Sequence, residues 1–155
     1  MSEYLVLKWI HVVSSTILFG TGIGSAFYML VASLDRDARV VFFVTRWVVV
    51  ADWIFTTTAV IVQPLTGFWL AHLAGFPLTS RWIVWSTALY LLAGGCWLPV
   101  VWMQMQMREM AREAAGHGRE LPPRYWRFFR IWIALGIPAF LALVVVFYLM
   151  VAKPA

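Results

Sequence analysis

YLVLKWIHVVSSTILFGTGIGSAFYMLVASL, residues 4–34, decides the fold. Lys8 is its one charged residue, and a bilayer is crossed by roughly 20 consecutive apolar residues, so the stretch predicts a membrane-spanning helix. Lys8 and His11 lie three apart and therefore share a helical face. His11 sits about 10 Å along the helix from Tyr4, so an ammonium and an imidazole stand in or just inside one leaflet. Beyond them come Ser14, Ser15, Gly20, Gly22, Gly24 and Ser25, and small residues in a spanning helix predict a face that packs closely against another backbone. Gly20-Thr21-Gly22-Ile23-Gly24 looks like a dinucleotide loop on paper, but no strand precedes it and the helix is apolar throughout.

The rest of the chain has the same character. Of 155 residues, 63% are hydrophobic and 12% charged, with a mean hydropathy of +0.81, far from the composition of a soluble domain. The net charge of +5 suits nucleic acid in principle. The basic residues, however, cluster beside the apolar runs, where Lys and Arg mark cytoplasmic loops, and nucleic acid is excluded. Cys96 is the one cysteine, so neither an internal disulfide nor a CxxC site exists. Acidic Glu3, the lack of a basic leader and the spanning length predict that the first span stays as an anchor.

Four stretches reach spanning length: about Tyr4 to Leu34, Val40 to Leu73, Trp82 to Met107 and Trp126 to Ala152. The expected fold is all-α, a polytopic four-transmembrane-helix bundle forming one domain over residues 1–155. Arg36 and Arg39 occupy the first connection, and Arg108, Arg112, Arg119 and Arg124 the third. The opposite side has Lys8, Arg81 and Lys153. The positive-inside rule then puts both termini outside, periplasmic in a bacterial inner membrane. Trp82, Trp85 and Trp126 fall where a headgroup belt lies. The second span is longer than a bilayer needs, so it is expected to tilt, kink at Pro64 or project into the cytoplasm, and Pro138 is expected to bend the fourth. The third span is expected to continue into water as an amphipathic helix, because Glu109 meets Arg112 at helical spacing, and to end at Gly116 and Gly118.

Two constellations can carry chemistry. His11 and His72 both fall in the outer leaflet, about 10 Å and about 5 Å inside their span ends, and adjacent antiparallel helices could bring them together. Neutral imidazoles are axial ligands for haem iron. Gly22 and Met29 follow His11 within about 20° of its direction; Gly22 gives a macrocycle room, and Lys8 or Arg81 can pair with propionates. The plainer alternative is a His11 hydrogen-bonded to a Ser or Thr of a neighbouring helix. The second constellation is Arg46, Asp52, Thr56 and Gln63. Asp52 lies about 15 Å into its span, and a carboxylate there faces a partner, a cavity or a proton path. Arg46 is about 120° away around the helix, whereas Gln63 returns to the face of Asp52 with Thr56 between, so the stripe is either a polar relay or glue between helices. Met103, Met105, Met107 and Met110 point to different sides and read as filling rather than a copper site. His117, between two glycines, reads as solvated.

Lys8, His11, Gly20-Thr21-Gly22, Ala51-Asp52-Trp53, Gln63-Pro64-Leu65-Thr66-Gly67, Cys96-Trp97-Leu98-Pro99 and Pro138-Ala139-Phe140 resemble a bacterial family of predicted integral membrane proteins, domain of unknown function 2269. That resemblance covers nearly the whole chain and implies four helices without an activity. More distantly, Lys8-x-x-His11, Arg46 and Thr66-Gly67 resemble the membrane protoporphyrinogen oxidase HemJ and the CopD-like copper-resistance proteins. The HemJ family binds haem b through its first-span histidine, and only His11 carries that role over. The third-span lysine of HemJ has no counterpart here.

The leading expectation is therefore a b-type haem or porphyrin near the outer face, with His11 and His72 as iron ligands. Its role would be electron transfer with a quinone or another redox partner; as an enzyme it would be a membrane oxidoreductase. One rival is a non-enzymatic subunit that docks a partner through its Arg-rich loop. Another is a small transporter or proton path using Asp52 and Gln63, for which a homodimer would supply a second half.

Overall fold

The computed structural model describes residues 2–154. Its four helices are α1 (Glu3–Asp35), α2 (Ala38–Leu73), α3 (Arg81–Gly116) and α4 (Pro123–Ala152), each long and apolar enough to cross a membrane. There are no strands among the described residues. The helix ends follow from local chemistry. Arg36 closes α1 in the left-handed region at φ 63°, and the Asp37 carboxylate accepts the Arg39 N–H at 2.8 Å to start α2, satisfying one orphan donor of the new helix. Gly75 supplies the left-handed residue after α2 at φ 72°. As the charge spacing predicts, α3 runs on past its apolar part, with Glu109 paired to Arg108 at 2.9 Å and to Arg112 at 2.8 Å. Pro123 then opens α4 at its first turn.

α2 is not uniform. Pro64 lies inside the helix, but the change of helix type is at Asp52–Thr56, a π-turn. Thr57 Oγ1 donates to the Asp52 carbonyl at 3.0 Å, a second partner beside the Thr57 backbone N–H that closes the widened turn. Such a turn holds one residue more than an α-turn, so everything beyond it is rotated by about 100°.

Helix packing changes at the same place. α3 and α4 form the most extensive pair; the first half of α2 packs on both α1 and α3, and the half after Thr57 packs mainly on α1. The tight core consequently sits toward the arginine-rich end, around Met29, Val41, Met107, Tyr125 and Phe129. Met103 and Met107 are buried there as filling. Ser33 Oγ meets Tyr125 Oη at 2.7 Å to tie α1 to α4. Toward the termini the bundle opens into two cavities. An inner one of about 470 Å³ lies among all four helices. An outer one of about 220 Å³ adjoins it, with Leu18, Tyr90 and Leu143 lining both.

The predicted close-packing face at Gly20 to Gly24 is not one. A Cβ added to Gly20, Gly22 or Gly24 would meet nothing within 4 Å, because α1 passes the open part of the bundle here. The close approach is instead at Gly67, where a Cβ would lie 3.2 Å from His11 Cε1.

Candidate functional site

His11 is held by one turn of α2. Its Nδ1 lies 2.7 Å from Thr66 Oγ1. That hydroxyl has a single proton and lies 2.7 Å from the Val62 carbonyl as well; when it donates there, it accepts from Nδ1–H, and Nε2 is the lone-pair nitrogen. It has no hydrogen-bond partner among the described residues and is not enclosed. Gly67 leaves space for the ring edge, and Gln63 Nε2 donates to the His11 carbonyl at 2.8 Å. Gln63, Thr66 and Gly67 thus form a clasp around one residue of α1, and Gln63 and Gly67 also line the outer cavity.

The other residues expected beside His11 are elsewhere. His72 is exposed and stands about 140° around α2 from Gly67, so it turns away from the face that holds His11. Gly22 opens onto the inner cavity, eleven residues or about 16 Å along α1 from His11, while His11 lines neither cavity. Lys8 is exposed and lies 5.9 Å over the Tyr4 ring. Arg81, also exposed, starts α3. Among the described residues no three His, Cys, Asp or Glu side chains converge as a metal cluster.

The second constellation divides. Asp52 is buried, 3% exposed, and Thr56 Oγ1 donates to its Oδ1 at 2.8 Å. Gln104 of α3 lies beside the same carboxyl. All three line the inner cavity. Among the described residues no Lys or Arg pairs with Asp52. Arg46 is exposed and stacked over Trp47 at 5.4 Å. Gln63 does not rejoin the face of Asp52: the π-turn between them rotates the later half of α2, and Gln63 serves the His11 clasp instead. A regular helix would have aligned them. The proposed stripe is therefore two separate polar sites.

Sequence reasoning passed over Gln104, hidden among Met103, Met105 and Met107, and Tyr90, whose hydroxyl donates to the Val60 carbonyl at 2.8 Å where α2 and α3 part. An amide inside an apolar span is a signal of its own. It could have identified Gln104.

The family described as Predicted integral membrane protein (DUF2269) matches residues 5–154. The chain belongs to that family. No curated protein and no solved structure matches it. Membership makes the protein an integral, multi-pass membrane protein in contact with lipid, in agreement with its four spanning helices. The expected resemblance to HemJ and the CopD-like proteins is not confirmed by these comparisons.

Proposed function

We propose that this member of the family is a redox protein of the bacterial inner membrane that binds a b-type haem or porphyrin beside His11, with the arginine-rich end cytoplasmic and both termini periplasmic. One observation carries the reading: Nδ1 of His11 is hydrogen-bonded to Thr66 at 2.7 Å, and in the tautomer with Nδ1–H donating to that hydroxyl Nε2 keeps a free lone pair. Iron-ligating histidines commonly have this second partner, which fixes tautomer and ring orientation. The donor chemistry at His11 thus fits a haem iron, which would supply one-electron transfer. It fits as a single protein ligand, because His72 faces elsewhere. Thr66 orients the imidazole and holds the Nδ1 proton. Lys8 and Arg81, at the same end of the bundle, are available cations for carboxylate substituents. A quinone or a second protein would be the electron partner.

The test is optical. Protein purified in detergent from cells supplied with haem should show a Soret band and a reduced α-band. His11→Ala should abolish both, His72→Ala should keep them, and Thr66→Val should lower haem occupancy by about 10–100-fold in affinity, the usual effect of losing a histidine's second partner. Wild-type protein without a Soret band would refute the reading.

A further inference from the structure

Two arginines stand on the outside of spanning helices. Arg46 lies eight residues inside the start of α2 and Arg130 seven inside the start of α4, about 12 and about 10 Å along the helix axes. Ionisable side chains within a span normally face the bundle interior or a water-filled cavity and find a partner there. Arg46 and Arg130 are instead exposed. Among the described residues neither meets a carboxylate, since both ion pairs use Glu109, with Arg108 and Arg112. Their surroundings are those of a lipid-facing surface. Phe43, Trp47 and Val50 flank Arg46, and Ile137 and Leu141 continue the line of Arg130 within about 20°; all five are exposed.

The two arginines also share a height. His11 meets Thr66, and Ser33 meets Tyr125. Counted along the antiparallel helices from these contacts, Arg46 comes level with Val31 of α1 and Arg130 with Tyr28, within about 5 Å of each other. Along α4, Arg130 is about 35 Å from Lys153, and along α3, Arg108 is about 40 Å from Arg81. A bilayer measures roughly 30 Å across its hydrocarbon and roughly 40–45 Å with its headgroups. With Lys153 and Arg81 at one surface, the arginine level falls where the hydrocarbon of the opposite leaflet meets its phosphates. Exposed Tyr28, Trp47 and Trp102 lie around this level, as interfacial aromatic residues do. A guanidinium there has phosphate oxygens as its acceptors.

A second arginine stands above each of the first two. Arg39 is seven residues nearer the water on the same side of α2, and Arg127 three residues nearer on α4; both are exposed. A headgroup whose phosphate lies at the deeper arginine projects toward the shallower one. The choline or ethanolamine of a zwitterionic lipid would bring its own cation there, whereas the glycerol of phosphatidylglycerol brings none. We propose that Arg46 with Arg39, and Arg130 with Arg127, form two binding sites for anionic phospholipid, each holding the phosphate at the deeper arginine.

Native mass spectrometry of the full chain in detergent, titrated with phosphatidylglycerol or with phosphatidylcholine of the same acyl chains, counts the lipids bound and gives their affinities. Wild type should bind its first two phosphatidylglycerols about fivefold more tightly than phosphatidylcholine, the effect of one arginine near an anionic lipid. Arg46→Gln and Arg130→Gln should each remove one preferred binding event, and the double variant both. Arg39→Gln should narrow the preference at one site by admitting phosphatidylcholine. Arg119→Gln, in the loop beyond, should leave both events intact. His11→Ala should do the same whatever its effect on a Soret band, so this proposal and the haem reading are tested separately. No preference in wild type, an unchanged preference in the Arg46→Gln, Arg130→Gln double variant, or displacement of the lipid by an equal concentration of free glycerol 3-phosphate would each overturn the proposal.

Discussion

The two ends of the bundle rely on polar contacts between helices to different degrees. At the arginine-rich end the helices are close, Thr45 donates to the Val41 carbonyl at 2.7 Å and Ser33 to the Met29 carbonyl at 2.7 Å, and the Ser33–Tyr125 pair joins α1 to α4. Apolar packing fills the rest. Toward the termini α2 leaves α3, and hydrogen bonds cross the gaps, from Gln63 to the His11 carbonyl and from Tyr90 to the Val60 carbonyl. Lipid gives helices no hydrophobic drive to associate. Where packing is interrupted, polar contacts hold the helices at fixed spacing and leave room between them.

Mutations should separate the two ends by size of effect. Tyr125→Ala strikes the packed end, removing a fully buried ring and the partner of Ser33; it should cost about 3–5 kcal/mol, measured by unfolding in mixed micelles. An effect below that of Thr66→Val would break the comparison. Thr66→Val leaves the Nδ1–H of His11 without its acceptor and should cost about 1–3 kcal/mol. Gln63→Leu removes one bond between helices and should cost about 0.6 kcal/mol, up to about 1.7, in the same assay. Gly94→Ala adds a methyl where nothing stands within 4 Å, so stability should change by less than about 0.5 kcal/mol. A large loss there would mean that the cavity closes in the membrane.

Hydropathy and loop charge made the four helices and their grouping legible, because both depend on composition along the chain. That a Ser or Thr of a neighbouring helix holds His11 was legible as the plainer alternative; that the residue is Thr66 was not. It depends on the register of α2 against α1, which no local pattern encodes. Gly67 and Gly22 differ in the same way: each is a glycine in an apolar helix, yet one faces an imidazole and the other a void. Asp52 stood out as an isolated carboxyl, but its separation from Gln63 required knowledge of the π-turn, and DWIFT contains neither Gly nor Pro to announce one.

That turn gives α2 two phases. Its first half presents Asp52 and Thr56 to the inner cavity and its second presents Gln63, Thr66 and Gly67 to α1, so one continuous helix addresses different neighbours at different depths. The segment therefore constrains helix type more sharply than composition. Drawing Asp52–Thr56 into a regular α-turn with every residue kept would rotate the entire His11 clasp by about 100°, although no residue of the clasp had been altered.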